Sequence, residues 1–143
     1  MYLVDTNVIS ELRKRDGIRE EAVAAGVNAR PRSEMYTSVM CLGEIGLGVM
    51  RRERRDPAAG RVLREWLERA VIPAFDGRVL PIDSDIQRRA ATLMVPDARP
   101  WPVAMIAATA LTHGLAVVMR NTQDFAGSGV RVSDPWVASG QAG

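Results

Sequence analysis

Tyr2-Leu3-Val4-Asp5-Thr6-Asn7-Val8-Ile9-Ser10-Glu11-Leu12 is the stretch on which the reading of this chain turns. Three apolar residues run into a carboxylate, and the helical spacing of Val8, Ile9 and Leu12 begins directly behind it. That is the pattern of a short buried strand delivering Asp5 to the point where a helix starts. In parallel α/β sheets, ligands bind beyond the carboxyl ends of strands. A charge held there is costly unless something positive meets it. Asp5 is therefore a candidate site residue, weighed against the plainer role of a helix N-cap.

Working outward, the first helix is expected from Thr6 to near Asp16-Gly17, and a second from about Ile18 to Asn28, broken by Arg30-Pro31-Arg32. Glu34-Met35-Tyr36-Thr37-Ser38 reads as a strand, followed by a helix through Val39, Leu42, Gly46 and Val49. Asp56-Pro57 starts a long helix carrying Val62, Leu63, Trp66 and Leu67, which Pro73 ends. Arg78-Val79-Leu80-Pro81-Ile82 is a short edge strand, because its proline cannot donate to a ladder. Helices follow from about Ser84 to Met94 and from Pro102 to His113, the second stopped by Gly114. Leu115 to Met119 is a buried strand and Val130-Arg131-Val132 a weak last one. Strands alternating with helices predict an α/β fold on a parallel sheet. Residues 1–136 are expected to form one domain, and residues 137–143 a frayed tail.

Composition excludes several classes. With 47% apolar and 25% charged residues the chain reads as an ordinary globular protein, and a net charge of +2 is no polycation to advertise nucleic acid. The single cysteine, Cys41, cannot form an internal disulfide and sits in an apolar stretch, which fits a buried thiol in a reducing cytosol. No apolar run approaches membrane-spanning length and no cationic leader precedes one, so a cytoplasmic protein is expected.

Glu44 is the second anomaly. Its helical neighbours Met40, Cys41, Leu47 and Gly48 include no cation, so it is either a rim residue of an apolar stripe or has a tertiary partner. Gly43, Gly46 and Gly48 around it would let another backbone come close. Asp124 follows Arg120-Asn121-Thr122-Gln123 after a buried strand, where turn and capping chemistry is the plainer explanation. Three carboxylates from separate elements are nevertheless what Mg²⁺ or Mn²⁺ takes, and phosphodiester nucleases use such sets to activate water and neutralise the leaving oxygen. Other chemistries lack their residues. His113 is the only histidine, at a helix end, and one histidine with one cysteine cannot bind zinc. Nucleophile-elbow, phosphate-loop and dinucleotide glycine motifs are absent. Arg51-Arg52-Glu53-Arg54-Arg55 could hold RNA backbone, or simply be solvated cations at a helix C-terminus; Arg13-Lys14-Arg15 has the same two readings.

The chain resembles PIN-domain proteins of the VapC toxin type, close to the FitB-like branch. The resemblance rests on Val4 to Leu12, on Leu42-Gly43-Glu44-Ile45 with Gly48, on Ile106-Ala107-Ala108-Thr109-Ala110-Leu111 with His113-Gly114-Leu115, and on Arg120-Asn121, Asp124-Phe125 and Asp134-Pro135-Trp136. It implies a three-layer sandwich, with a short, mainly parallel central sheet flanked by helices. It also implies a metal-dependent endoribonuclease, held inactive by a small VapB-like antitoxin, and a homodimer with acidic sites in a groove. On that pattern Asp5, Glu44 and Asp124 are the metal-site positions for Mg²⁺ or Mn²⁺. Thr6 and Asn7 shape the start of the site, and Asn121 orders the loop bearing Asp124.

One position departs. The family has an aspartate three residues before the isoleucine of its Ile-Ala-Ala-Thr-Ala motif, where this chain has Val103. Valine offers no oxygen to a cation and no charge to the helix dipole. Asp97 is a candidate substitute, placed before two prolines. Two explanations are open for Val103: an inactivating change in a toxin harmful to its host, or a protein kept for binding. The expected function is an RNA-cleaving toxin, with activity impaired by Val103. The alternative is a catalytically inactive module that captures antitoxin or RNA, and a third is a structure-specific DNA nuclease.

Overall fold

The computed structural model describes residues 1–13, 21–120 and 122–134. Its strands are β1 (Tyr2–Val4), β2 (Met35–Ser38), β3 (Val79–Leu80), β4 (Ala116–Val118) and β5 (Val132–Ser133), in one sheet ordered β3-β2-β1-β4-β5. Every adjacent pair is parallel, as the alternation of strands and helices predicts. In the central strand, Leu3 pairs with Tyr36 on one side and Val117 on the other. The central strands β1 and β4 are apolar throughout because helices cover both faces. Successive side chains enter opposite cores: Val4 and Val118 meet Val8, Ile45, Val49 and Leu67, while Leu3 and Val117 meet Ile106, Ala110 and Phe125. This is the layered α/β architecture expected.

The helices are α1 (Thr6–Leu12), α2 (Glu21–Asn28), α3 (Val39–Arg55), α4 (Pro57–Trp66), α5 (Ile72–Ala74), α6 (Ser84–Thr92) and α7 (Trp101–His113). Val8 and Ile9 are buried as their spacing predicts. The expected end of the first helix and start of the second, at residues 14–20, lie outside the described residues, as do position 121 and the tail after residue 134. Gly114 closes α7 with φ of 67°, a conformation natural to glycine.

Several boundaries differ from expectation. Glu34 belongs to a 3₁₀ turn (Arg32–Glu34), so β2 starts at Met35. Pro73 does not end the long helix; a π-turn (Leu67–Val71) leads into α5, where Pro73 lies in a first turn and its missing N–H is no loss. Val62 points outward at 66% exposure, and α4 presses Gly60 inward instead. The last strand is Val132–Ser133 rather than residues 130–132, since Val130 packs into the core ahead of it. Gly43, Gly46 and Gly48 are approached by nothing: a Cβ added at any of them would meet no atom within 4 Å. The close backbone approach is at Gly60, where an added Cβ would stand 2.6 Å from the Glu53 nitrogen. There α3 and α4 touch, tied by Arg64 to Glu53 at 2.6 Å.

Candidate functional site

The sheet order changes direction between β1 and β4, which places a crevice at the carboxyl ends of those two strands. Asp5 follows β1 and the 3₁₀ turn Thr122–Phe125 follows β4, so the two carboxylate-bearing segments flank that crevice. Asp5 is anchored by its backbone: its N–H donates to Val118 O at 3.0 Å, and its carbonyl accepts from Val8 and Ile9 at 3.1 and 3.2 Å. It is the N-cap of α1 by position, yet its carboxylate makes no capping hydrogen bond.

Asp5 is 8% exposed, and its pKa is pushed up to about 6. Burial is the main cause; the charges of Glu44 and Asp124 add to it, while the Thr6 and Asn7 amides oppose it. All three carboxylates thus lie within electrostatic reach of one another. Glu44 projects from α3, exposed, and its Oε1 accepts from Thr6 Oγ1 at 3.2 Å. It is therefore a surface residue with a tertiary partner, combining the two readings of the sequence. Asp124 is exposed in its turn, and Arg99 fastens that turn by donating to the carbonyls of Asp124 and Ala126 at 3.4 and 3.2 Å and to Leu93 O at 2.9 Å. Among the described residues none of the three carboxylates forms an ion pair. Nor, among those residues, do three Asp, Glu, His or Cys side chains stand close enough to enclose an ion by themselves.

Asn7 is exposed beside Asp5, and Asn121 lies outside the described residues. Val103 is half-buried in the first turn of α7, a turn with no acidic residue, and it packs on the cluster containing Leu3, Cys41 and Phe125. Asp97 is exposed in the connection before α7.

The burial of Cys41 is as expected, but its contact with Asp5 and the role of Arg99 were not foreseen from the sequence. Ser38 caps α3 by accepting from Cys41 N at 3.1 Å and also donates its hydroxyl to Cys41 Sγ at 3.4 Å. The thiol in turn donates to Asp5 Oδ1 at 3.9 Å. Burial first, then the Asp5 charge, push the thiol pKa up. A serine three residues before the cysteine, with Glu44 three residues after it, was the available signal.

The donor set suits a hard divalent cation. It offers carboxylate oxygens, one of them desolvated, that form no ion pair among the described residues. Since no three of the described Asp, Glu, His or Cys side chains could hold an ion by themselves, water would complete the ion's shell. Mg²⁺ characteristically keeps such waters. A separate cavity of about 210 Å³ lies among Val4, Leu12, Val27, Met35 and Phe75, rimmed by arginines, and includes none of the three acids.

Comparison with known proteins converges on one family. A family model described as PIN domain matches residues 2–127. The chain is 37% identical over 143 residues to "VapC ribonuclease Y4jK" of Sinorhizobium fredii, covering 95% of this chain and 98% of that protein. The crystal structure of FitAcB from Neisseria gonorrhoeae superposes with a TM-score of 0.83 at 34% identity, over 95% of this chain and 99% of that one. A toxin-antitoxin complex from Klebsiella pneumoniae superposes with a TM-score of 0.69 at 26% identity, over 94% and 98%.

Proposed function

The chain belongs to the PIN-domain family, and from that premise we propose that it is the ribonuclease toxin of a toxin-antitoxin pair, cleaving RNA phosphodiester bonds with Mg²⁺ or Mn²⁺. The observation that carries this reading is the desolvated Asp5 carboxylate at the end of the central strand, raised to about 6 mainly by burial and further by Glu44 and Asp124, with no ion pair to it among the described residues. A relative named a ribonuclease and a similar fold in a toxin-antitoxin complex support the substrate and the partner.

Asp5, Glu44 and Asp124 would hold the cation, directly or through water. Bound there, the ion would neutralise charge on the phosphodiester and acidify a water. The chain's own residues arrange the donors. Asp5 is fixed by its backbone hydrogen bonds to Val118, Val8 and Ile9. Thr6 orients Glu44, and Arg99 fastens the turn bearing Asp124. Asn7 shapes the start of the site beside Asp5.

The inactive-module reading is favoured by one observation, the apolar Val103 in the first turn of α7, where a carboxylate would complete the set. A single assay separates the readings: structured RNA, with DNA in parallel, is incubated with the purified protein in Mn²⁺ or in chelator. RNA cleavage abolished by chelator supports the ribonuclease. A mobility shift without cleavage supports the module, and DNA cleavage alone the DNA nuclease.

The protein acts in the cytoplasm, beside its RNA substrate and a small VapB-like antitoxin; no helix among the described residues is long and apolar enough to cross a membrane. It pairs with a second copy through α3, where Val39, Leu47 and Met50 are 43%, 45% and 54% exposed along one side, and Gly43 and Gly46 leave open space between them. Leu47→Glu with Met50→Glu should halve the mass read by light scattering, and an unchanged dimer would exclude this face.

A further inference from the structure

We infer that Cys41 is a positioning residue for Asp5: its thiol, aimed by Ser38, holds Oδ1 and leaves Oδ2 as the oxygen offered to the crevice. The inference rests on the proposed reading of Asp5 as a cation ligand. Cys41 is completely buried, on the first turn of α3 beneath the acidic residues. Ser38 Oγ accepts from Cys41 N at 3.1 Å and donates to Sγ at 3.4 Å, so the thiol already receives a hydrogen and has only its own to give. Asp5 Oδ1, at 3.9 Å, accepts it. The rival acceptor is Thr37, whose own hydroxyl hydrogen is committed to Val4 O at 3.0 Å.

A thiol is a weak donor, so its effect is directional. The chain Ser38 to Cys41 to Asp5 runs from the cap of one helix to the cap position of another. It gives the two oxygens of one carboxylate different surroundings: one faces a buried sulfur, and the other has no side-chain donor among the described residues. A serine at position 41 keeps a donor there, whereas an alanine removes it and leaves the packing nearly intact. Groups that orient metal ligands commonly matter by about 10- to 100-fold in affinity or activity; a weak donor belongs at the lower end of that range.

Because the chain has one cysteine, its infrared S–H stretching band reports this thiol alone. In the full-length protein without metal, the band should lie at a hydrogen-bonded frequency and move toward that of a free thiol in Asp5→Ala, while Thr37→Val leaves it in place. A band that ignores Asp5→Ala, or follows Thr37→Val instead, overturns the inference. Calorimetric titration with Mn²⁺ alone supplies the second readout. Cys41→Ala should weaken binding by about tenfold and Cys41→Ser should restore it to within about twofold of the parent, an expectation from the same principle. Equal loss in both variants would show that Cys41 serves only packing. If the parent binds no Mn²⁺, the cation reading fails and the positioning role with it, while the infrared band still decides the thiol contact independently.

Discussion

Thr6 Oγ1 donates to Glu44 Oε1 at 3.2 Å, joining the helix that leaves β1 to the helix that leaves β2 across 38 residues of sequence. The bond fixes one exposed acid relative to the buried one next to Thr6. Thr6→Val keeps the shape and removes the donor, so RNA cleavage should fall by about tenfold, the scale expected for a ligand-orienting group. Thr6→Ser should restore it. Equal rates for all three proteins in a Mn²⁺-dependent cleavage assay would remove Thr6 from the site.

Asp5 gives a pH signature. Its carboxyl takes up a proton near 6 in the fold, against 3.8 as the ordinary value. Between those values the folded state binds more protons than the unfolded state, so Asp5 makes the metal-free protein more stable as pH falls through about 6. That contribution is complete below about 3.8 and is lost as pH rises again. The scale is on the order of 3 kcal/mol. In chelator, the melting temperature of the parent should rise between pH 7.5 and 5 relative to that of Asp5→Asn, in which this linkage is gone. Mn²⁺ affinity should move oppositely, weakening below pH 6 as protons compete for the same oxygen. Parallel melting curves for parent and variant across that range would contradict the assignment.

Val103→Asp places a fourth carboxylate in the first turn of α7, a turn that has none. Such a charge suits the helix dipole but adds repulsion to Asp5. The variant should therefore melt lower than the parent in chelator and higher in Mn²⁺. Its Mn²⁺-dependent cleavage of RNA should rise by at least about tenfold, as expected when a missing ligand is supplied. A rate unchanged from the parent would dissociate position 103 from catalysis.

What the sequence made legible follows from where the physics is local. The strand-to-helix start at Asp5, the edge strand limited by Pro81 and the glycine stop at Gly114 each depend on a few adjacent residues, and each is found. The continuation past Pro73 was not legible, because a π-turn resets the hydrogen-bond register just ahead of the proline. The glycines failed for another reason. Gly43, Gly46 and Gly48 stood near an anomalous acid and invited a close approach, yet the helix that comes close does so at Gly60, and only the tertiary path of α4 decides that. In the site, Asp5 announced itself by burial, while Thr6 as partner of Glu44, Arg99 as clamp and Cys41 beneath Asp5 depend on contacts between distant segments.

Gly60 supplies a stability test remote from the acids. A methyl group there would meet the Glu53 backbone at 2.6 Å, and backbone cannot swing aside as a side chain can. Gly60→Ala should cost about 1–3 kcal/mol, the usual range for overpacking, despite alanine's better helix propensity. Urea denaturation measures it directly. A variant as stable as the parent would mean that α3 and α4 can separate freely.

β3 and β5, the two borders of the sheet, are only two residues long, and β3 runs straight into Pro81. So little free backbone gives an incoming extended chain almost nothing to zip onto, which protects the molecule from fibril seeding even when it is crowded among copies of itself. An inhibitor, natural or engineered, must therefore grip helices and loops, and screening libraries of helical or loop-presenting binders is better founded than screening strand mimetics.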